Sequence, residues 1–510
     1  MTADLLLTGG RLVDGTGAPA RDADVAITGG LVSAVGPRLP RDARRVLDVR
    51  DRIVCPGFVD VHSHSDLALL SNPEAHSKVR QGVTTEVVGN CGLGVFPLTG
   101  DPAAIRAATA FIDLDPAIPW TWHDADGYLK SLAEARPSVN VATLAAHLPL
   151  RAGVVGFGDR PATRAELDTM CGLLGDALDA GAAGLSTGLV YAPLCYATED
   201  ELVALARVVA ARGKVFAWHL RDYTDGLLES LAQAVRVAGL TGCRTQISHL
   251  AAVGRRNWGA VRAALDLVER AGAPVHVDAY PYLAGSANLS QLLPSWAHEG
   301  GESAMRARLA EPEVRARVRA EWRGRWWEWP DIVVDGEPLC DADQALDLVA
   351  ARGNAVAMVA FGRSEDDLLT VLRHPAAVIG SDGFALDPAG PTGSGTPHPR
   401  SYGCYPRLLG RYTGQGGLTL EEAVHKSTGL PASIFGLTGR GLVEPGTPAD
   451  VLVLDPATIN DLSTFTDPHR HPAGVDLVLV NGTVVVDGAA HTGERPGAVL
   501  TARPATRRAL

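Results

Sequence analysis

Residues 56–64 of this sequence read PGFVDVHSH, a short apolar run that ends in two histidines separated by one residue. Alternate side chains of a strand share a face, so a strand that reached this far would aim His62 and His64 at the same ion. Neutral imidazole is a preferred ligand for zinc and related divalent metals. Two half-buried histidines that donate to carbonyls would give the same pattern. Residues elsewhere in the chain are therefore needed to distinguish a metal site from a pair of structural histidines.

Seven further apolar segments follow the first, and helical stretches separate them. This alternation predicts βα units and a parallel sheet. Each segment is mostly apolar along its length, as expected of strands buried on both faces. The eight predicted strands cover residues 57–62, 84–91, 139–147, 182–191, 215–221, 244–249, 275–282 and 377–382. We therefore predict an α/β fold of the (β/α)₈ TIM-barrel type.

Metal-competent side chains stand at the ends of five of these strands. They are His62, His64, Cys91, His219, His249 and Asp382. The carboxyl ends of the strands of such a barrel converge on one face, where the active sites of this fold lie. Six such residues arriving at one face are better explained by a metal site than by filling of the core.

The two ends of the chain have a different texture, in which short alternating strands are separated by glycine turns. We predict that residues 1–55 and 440–500 form one small discontinuous β-sandwich domain. Four of the nine tryptophans cluster in an inserted subdomain, where we expect them to form a local core. The barrel then occupies residues 56–439, the insertion about 286–343, and a loose tail 501–510.

Composition narrows the function classes. The formal net charge of -12 argues against a nucleic-acid or anionic-membrane partner. No apolar run is long enough to span a bilayer, and the first residues lack the features of a signal peptide. Seven cysteines without a disulfide-like spacing fit a reducing compartment. We therefore expect a cytoplasmic enzyme that acts on a small molecule, and its oligomeric state is left open.

With these motifs the chain resembles the amidohydrolase superfamily and, within it, the N-acyl-D-amino-acid deacylase (D-aminoacylase) family. The resemblance covers almost the whole chain. Its motifs are PGFVDVHSHSD at 56–66, GVTT at 82–85, GNCG at 89–92, GLSTGLVY at 184–191, DAYPY at 278–282, PRSYG at 399–403 and ADV at 449–451. The HxH pair and the aspartate are common to the superfamily, whereas the NCG cysteine and the GLVY segment point to this family.

The lysines of the chain give an independent indication about the metal site. Many two-metal amidohydrolases bridge their ions with a carboxylated lysine at the end of the fourth strand, and none of the four lysines here ends that strand. Cys91 is the available replacement. The resemblance implies one tightly bound Zn²⁺ at Cys91, His219 and His249, and a weaker or empty second position at His62, His64 and Asp382.

The resemblance also implies the reaction, which is hydrolysis of an N-acyl amide bond. Zinc lowers the pKa of a bound water towards about 7 and polarises a carbonyl. Asp382 is expected to take the proton of the water and pass it to the leaving nitrogen. The residues implied around the substrate are Tyr191, Tyr280 and Ser286, and position adds Arg221 and Arg400 as candidates.

Two positions depart from the family pattern. Many members place a lysine that contacts the α-carboxylate where this chain has Ala251, and Tyr223 stands where an acidic residue is expected. A lost charged partner is typically worth about 1.5–3 kcal/mol. This loss counts against recognition of a free α-carboxylate. The expected substrates are therefore an N-acyl-D-amino acid or a related derivative, with an ester, a peptide-like molecule or a specialised metabolite as the alternatives.

Two alternatives remain beside this hypothesis. A cyclic amidase of the hydantoinase or dihydroorotase type would use the same fold, but Cys91 and the missing lysine count against it. A catalytically silent barrel that serves as a scaffold is a remote alternative, because such a protein would be expected to lose ligands and all six are present.

Overall fold

A computed structural model of the chain describes residues 2–414 and 417–501. The strands within these residues are β1 (Ala3–Leu12), β2 (Arg21–Thr28), β3 (Leu31–Gly36), β4 (Ala43–Asp48), β5 (Ile53–Pro56), β6 (Phe58–Asp60), β7 (Val83–Val88), β8 (Asn140–Ala146), β9 (Gly184–Gly188), β10 (Val215–His219), β11 (Arg244–Ile247), β12 (Val275–Ala279), β13 (Ala284–Asn288), β14 (Ile332–Val334), β15 (Glu337–Pro338), β16 (Ala357–Phe361), β17 (Ala377–Ile379), β18 (Val451–Leu454), β19 (Val475–Val480), β20 (Thr483–Asp487) and β21 (Ala490–His491).

Several of the longer helices begin at a side chain that caps them. Thr163 and Thr419 form capping boxes with the glutamates three residues later, and Thr198 and Ser364 also accept from the backbone. The helices are α1 (Ala68–Ser71), α2 (His76–Val79), α3 (Pro102–Ala108), α4 (Ala125–Ala135), α5 (His147–Val154), α6 (Arg164–Asp179), α7 (Glu199–Ala211), α8 (Leu227–Thr241), α9 (Val261–Glu269), α10 (Gly301–Arg308), α11 (Pro312–Glu321), α12 (Ala342–Arg352), α13 (Glu365–Arg373), α14 (Arg400–Arg411), α15 (Leu420–Ser427) and α16 (Gly429–Phe435).

Eight strands form one sheet in the order β17-β12-β11-β10-β9-β8-β7-β6. The loops that follow β6 and β17, the strands at the two ends of this order, are joined by a parallel bridge between Ser63 and Gly383. The backbone N–H of Asp382 also donates to the carbonyl of His62 at 2.7 Å. Eight strands that follow the chain order and are linked at their ends have the topology of a (β/α)₈ barrel, which confirms the predicted fold class.

The predicted strands extend one to three residues too far at their carboxyl ends. β6 stops at Asp60, so His62 and His64 lie beyond it, and the alternation of side chains along a strand does not explain how they meet. Cys91, His249 and Asp382 also lie past their strands, with φ angles of +55°, +38° and +53°. These left-handed residues lie in the turns that follow the paired strands.

Contacts within the chain divide the described residues into two compact units. The first contains the described parts of Met1–Val88, Lys130–Ala142 and Val378–Leu510. It includes a nine-stranded sheet in the order β21-β20-β19-β18-β5-β1-β2-β3, with β4 paired to β1. β5 pairs with β18 at one edge and with β1 at the other, so strands from both ends of the chain share one sheet, as their similar texture predicts.

The second unit contains Gly89–Leu129 and Thr143–Ala377. It includes a four-stranded sheet in the order β13-β16-β14-β15, which packs with α10, α11 and α12 around a separate apolar core. Trp322 is buried in this core and the three other clustered tryptophans pack against it, which confirms the expected local core. The sheet extends to Phe361, beyond the predicted boundary at 343, because β13 pairs with the distant β16.

The predicted domain boundaries stay a prediction, and most of the predicted tail at 501–510 lies outside the described residues. Among the residues that the structure describes, there is no helix of the length and apolarity that a bilayer crossing requires.

Candidate active site

A thiol and two imidazoles meet in the second unit. The Sγ atom of Cys91 lies 3.7 Å from Nε2 of His249, which lies 3.1 Å from Nδ1 of His219. All three side chains are buried, and their ligand atoms lie within 4.8 Å of one another. Tetrahedral zinc, with Zn–N near 2.0–2.1 Å and Zn–S near 2.3 Å, places its ligand atoms about 3.3–3.6 Å apart. The separations and the donor types both fit a zinc ion.

Hydrogen bonds hold the two histidine loops in place. The hydroxyl of Tyr223 accepts from the N–H of Leu220 at 2.9 Å and donates to the carbonyl of Ser248 at 3.0 Å. A carboxylate oxygen of Asp278 accepts from the N–H of His249 at 2.7 Å. Burial raises the pKa of Tyr223 well above its usual value, so the hydroxyl keeps the proton that it donates. Tyr223 therefore joins the residues that follow β10 and β11.

Glycines allow the loop of Cys91 to pack against the end of β9. The N–H of Gly92 donates to Ser186 Oγ at 2.9 Å, and a Cβ atom at Gly92 would lie 2.6 Å from Leu194. A Cβ atom at Gly188 would collide with the carbonyl oxygen of Cys91. The GNCG segment therefore packs directly against the GLSTG segment.

Two histidines and an aspartate meet in the first unit. One carboxylate oxygen of Asp382, Oδ1, lies 3.4 Å from Nε2 of His62 and 3.0 Å from Nε2 of His64. The other oxygen, Oδ2, lies 2.7 Å from Arg400 Nη1, and all four side chains are buried. Burial lowers the pKa of His64, which favours the neutral ring that binds metals. These two imidazoles and one carboxylate fit a divalent ion.

Lys78 contacts residues next to the loop that bears Asp382, and the sequence analysis did not single it out. Its Nζ atom lies 2.7 Å from Asp60 Oδ2, 3.0 Å from Glu86 Oε1 and 2.8 Å from Ser381 Oγ. Asp60 in turn accepts from the N–H of Ser381, the residue before Asp382, at 2.8 Å. Burial lowers the pKa of Lys78, but the two carboxylates outweigh it and leave that pKa raised, so the ammonium stays charged. No spacing in the sequence relates Lys78 to these partners.

Three of the predicted substrate residues, Tyr191, Tyr280 and Ser286, belong to the second unit. The ring of Tyr191 packs against that of His219, with centroids 5.0 Å apart. Tyr280 is buried just after β12, and the guanidinium of Arg363 lies 4.5 Å from its ring centroid. Ser286 lies in the middle of β13. Arg363 is a cation that the sequence analysis did not single out.

The arginine candidates make contacts within the protein. Arg221 donates to the carbonyls of Cys195 and Ala197 and to the side chain of Gln233. These bonds hold the loop after β9, and the expected contact of Arg221 with substrate stays a prediction. Arg400, expected to pair with an anionic group, pairs with the carboxylate of Asp382.

Comparison with known proteins agrees with this arrangement of fold and side chains. Residues 45–307 and 337–486 match the Amidohydrolase family. The matched segments are well over half of the chain, so the protein belongs to the amidohydrolase family.

Individual relatives show to which group within the amidohydrolase family the chain is similar. The N-acyl-D-glutamate deacylase of Alcaligenes xylosoxydans xylosoxydans is 37% identical over 503 residues, which cover 98% of this chain and 96% of that protein. The N-acyl-D-glutamate deacylase of Bordetella bronchiseptica, crystallised with zinc and a phosphonate mimic of the tetrahedral intermediate, is 35% identical with a TM-score of 0.83 over 98% of this chain and 100% of that one. A D-aminoacylase structure from a study of its binuclear metal center is 35% identical, with a TM-score of 0.81 over the same shares. Within the family, the chain belongs with the N-acyl-D-amino-acid deacylases.

Proposed function

We propose that the protein is a zinc-dependent hydrolase that cleaves the N-acyl amide bond of an N-acyl-D-amino acid or a related derivative. The observation that carries this proposal is the buried cluster of Cys91, His219 and His249, whose donors and separations suit zinc. Relatives that share 35–37% of their residues over almost the whole chain are deacylases of N-acyl-D-amino acids, and one was crystallised with zinc.

The metal is assigned to two positions of unequal strength. Cys91, His219 and His249 would hold one ion tightly, because a thiolate and two imidazoles are strong zinc ligands. His62, His64 and Asp382 would form a weaker or empty second position. When bound, zinc would lower the pKa of a water ligand and polarise the carbonyl of the substrate.

Asp382 is proposed as the group that moves the proton. Arg400, 2.7 Å from Oδ2, stabilises the ionised carboxylate, which is the form that can accept a proton. The neighbouring rings of His62 and His64 fix the orientation of Oδ1. The carboxylate would take a proton from water and return it to the leaving nitrogen. Tyr191, Tyr280 and Ser286 remain the proposed substrate contacts.

The cyclic amidase alternative gains no support from the site. None of the four lysines follows β9, the fourth strand of the barrel, where residues 189–191 read LVY. A bridging carboxylated lysine is therefore ruled out at that position. The scaffold alternative is also disfavoured, because all six candidate ligands are buried and grouped.

The test combines a metal analysis with an assay of amine release. Purified protein is analysed for zinc and then supplied with matched N-acetyl-D- and N-acetyl-L-amino acids and with hydantoins. We expect bound zinc and release of free amine from the D series. Asp382→Asn should keep the zinc at the Cys91 site and lower kcat by about 10²-fold or more. Hydrolysis of hydantoins but not linear amides, or full activity of the variant, would contradict the proposal.

A further inference from the structure

A narrow pocket opens beside the loop of His249. Its lining begins at Leu250, the residue after this histidine, and includes Ala251, Tyr280, Arg363 and Asp367. All of them belong to the second unit.

Arg363 brings an uncompensated positive charge to this pocket. Its guanidinium makes no ion pair or hydrogen bond with any residue that the structure describes, and its side chain is only partly buried. The acid in the pocket, Asp367, instead accepts from the N–H of Gly259 at 2.9 and 3.0 Å. A guanidinium offers a planar fork of donors, which matches the two oxygens of a carboxylate.

The surroundings hold the guanidinium in a defined place. It lies 4.5 Å from the ring centroid of the buried Tyr280, a cation–π contact that limits its movement. A Cβ atom at Gly285 would lie 3.1 Å from Nη2 of Arg363, so the absent side chain provides the space that the guanidinium uses. Ser286 is the next residue along β13.

The backbone beneath Arg363 is also fixed. The carbonyl of Gly362 accepts from the N–H of Gly254 and from Nε1 of Trp258, both at 2.9 Å. The N–H of Arg363 donates to the carbonyl of Leu283 at 3.3 Å. Preorganisation of this kind lowers the entropy lost when a ligand binds.

We propose that Arg363 binds a carboxylate of the substrate and thereby selects acylated amino acids that present one at this pocket. The inference rests on the proposed function, because the pocket adjoins a residue assigned to the zinc. The carboxylate is either the one on the α-carbon or one on the side chain of the amino acid. Both bind a guanidinium in the same way, and the experiment separates them.

The experiment compares three substrates that differ only in their side chains. N-acetyl-D-glutamate carries a second carboxylate, N-acetyl-D-glutamine is its neutral isostere, and N-acetyl-D-leucine has an apolar side chain. We expect Arg363→Met to raise KM by about 10- to 100-fold with little change in kcat. An effect on the glutamate derivative alone assigns the side-chain carboxylate, and an equal effect on all three assigns the α-carboxylate. An unchanged KM for all three overturns the proposal.

Three further variants serve as controls. Arg363→Lys keeps the charge and should restore part of the affinity. Gly285→Ala crowds the guanidinium and should raise KM in the same direction as Arg363→Met. Arg373→Met removes an exposed arginine of the neighbouring α13 and should leave KM unchanged. Loss of affinity on Arg373→Met equal to that on Arg363→Met would overturn the assignment to the pocket.

A binding measurement separates the two proposals. Calorimetry with N-acetyl-D-glutamate on Asp382→Asn, in which turnover is slowed, reports affinity directly, and adding Arg363→Met should weaken binding by a similar factor. If the wild-type protein hydrolyses none of the three substrates, the proposed function fails. If it hydrolyses them and Arg363→Met changes neither KM nor the calorimetric affinity, only the role of Arg363 fails.

Discussion

Three of the candidate chemical residues sit on backbone that side chains rarely adopt. Cys91, His249 and Asp382 have φ between +38° and +55°. For a residue with a Cβ atom this conformation costs on the order of 1–3 kcal/mol, and such residues concentrate at functional sites. The bond from the N–H of His249 to Asp278 and that from the N–H of Asp382 to the carbonyl of His62 offset part of this cost.

At the same scale, the thiol of Cys91 should be needed for tight zinc binding. Serine offers a hydroxyl of almost the same size but lacks the soft thiolate that binds zinc strongly. We expect Cys91→Ser to lose most of its zinc on dialysis, as measured by elemental analysis of the protein. Cys340→Ser removes an exposed cysteine and should keep the wild-type content. Equal zinc in both variants would exclude Cys91 as a ligand.

At the scale of elements, the short helix α2 fixes the ends of β6 and β17. It carries Lys78, whose ammonium contacts Asp60 at the end of β6 and Ser381 just after β17. Asp60 precedes His62 by two residues, and Ser381 directly precedes Asp382. The helix therefore supports the pair of loops that bear His62 and Asp382.

Removal of the Lys78 charge should destabilise the fold. Lys78→Met leaves Asp60 and Glu86 buried without their cation, and breaking a buried pair in this way typically costs about 3–5 kcal/mol. We expect a clear fall in Tm, followed by circular dichroism. Lys130→Met removes an exposed ion pair of a type usually worth under about 1 kcal/mol and should hardly change Tm. Similar Tm values for the two variants would show that the buried network is not needed.

At the scale of the whole molecule, His276 and His298 are expected to make the stability of the fold decrease at acid pH. Burial lowers the pKa of His276 and of His298 from 6.5 to about 4. The folded state therefore keeps both rings neutral, whereas the unfolded chain binds protons below pH 6.5. The free energy of unfolding is thus highest above pH 6.5 and decreases as the pH falls towards 4. Each shift corresponds to about 3 kcal/mol in a dry site. Because both residues are only partly buried, we expect roughly half of that.

The pH dependence is measured as the fall in Tm between pH 7.5 and pH 4.5. His298→Gln cannot gain a proton, so its Tm should fall less than that of the wild-type protein over this range. A fall of the same size in both would show that protonation of His298 does not contribute.

Also at this scale, the sequence predicts the barrel because the pattern of a buried strand and a helix repeats eight times. It also indicates that Cys91, His219 and His249, which follow or end their strands, lie at one end of the barrel, and the three side chains meet in the structure. It overextends the strands, because the left-handed turns at residues such as Cys91 depend on contacts with Gly188 and other distant residues.

The contacts that support the site were not predictable for a similar reason. Lys78 and Ser381 are about three hundred residues apart, and only the closed sheet brings them together. Arg363 lies in an ordinary strand-to-helix connection, and its relation to Tyr280 depends on how β13 pairs with β16. Motifs mark the candidate metal ligands, whereas long-range packing determines which other residues surround them.

The most direct test of the account is a crystal of the protein as purified, with diffraction data collected on both sides of the zinc absorption edge. We predict an anomalous zinc peak about 2.0–2.3 Å from Cys91 Sγ, His219 Nδ1 and His249 Nε2. Zinc absent from this position in protein that carries zinc, or these three side chains directed away from one another, would contradict the central claim.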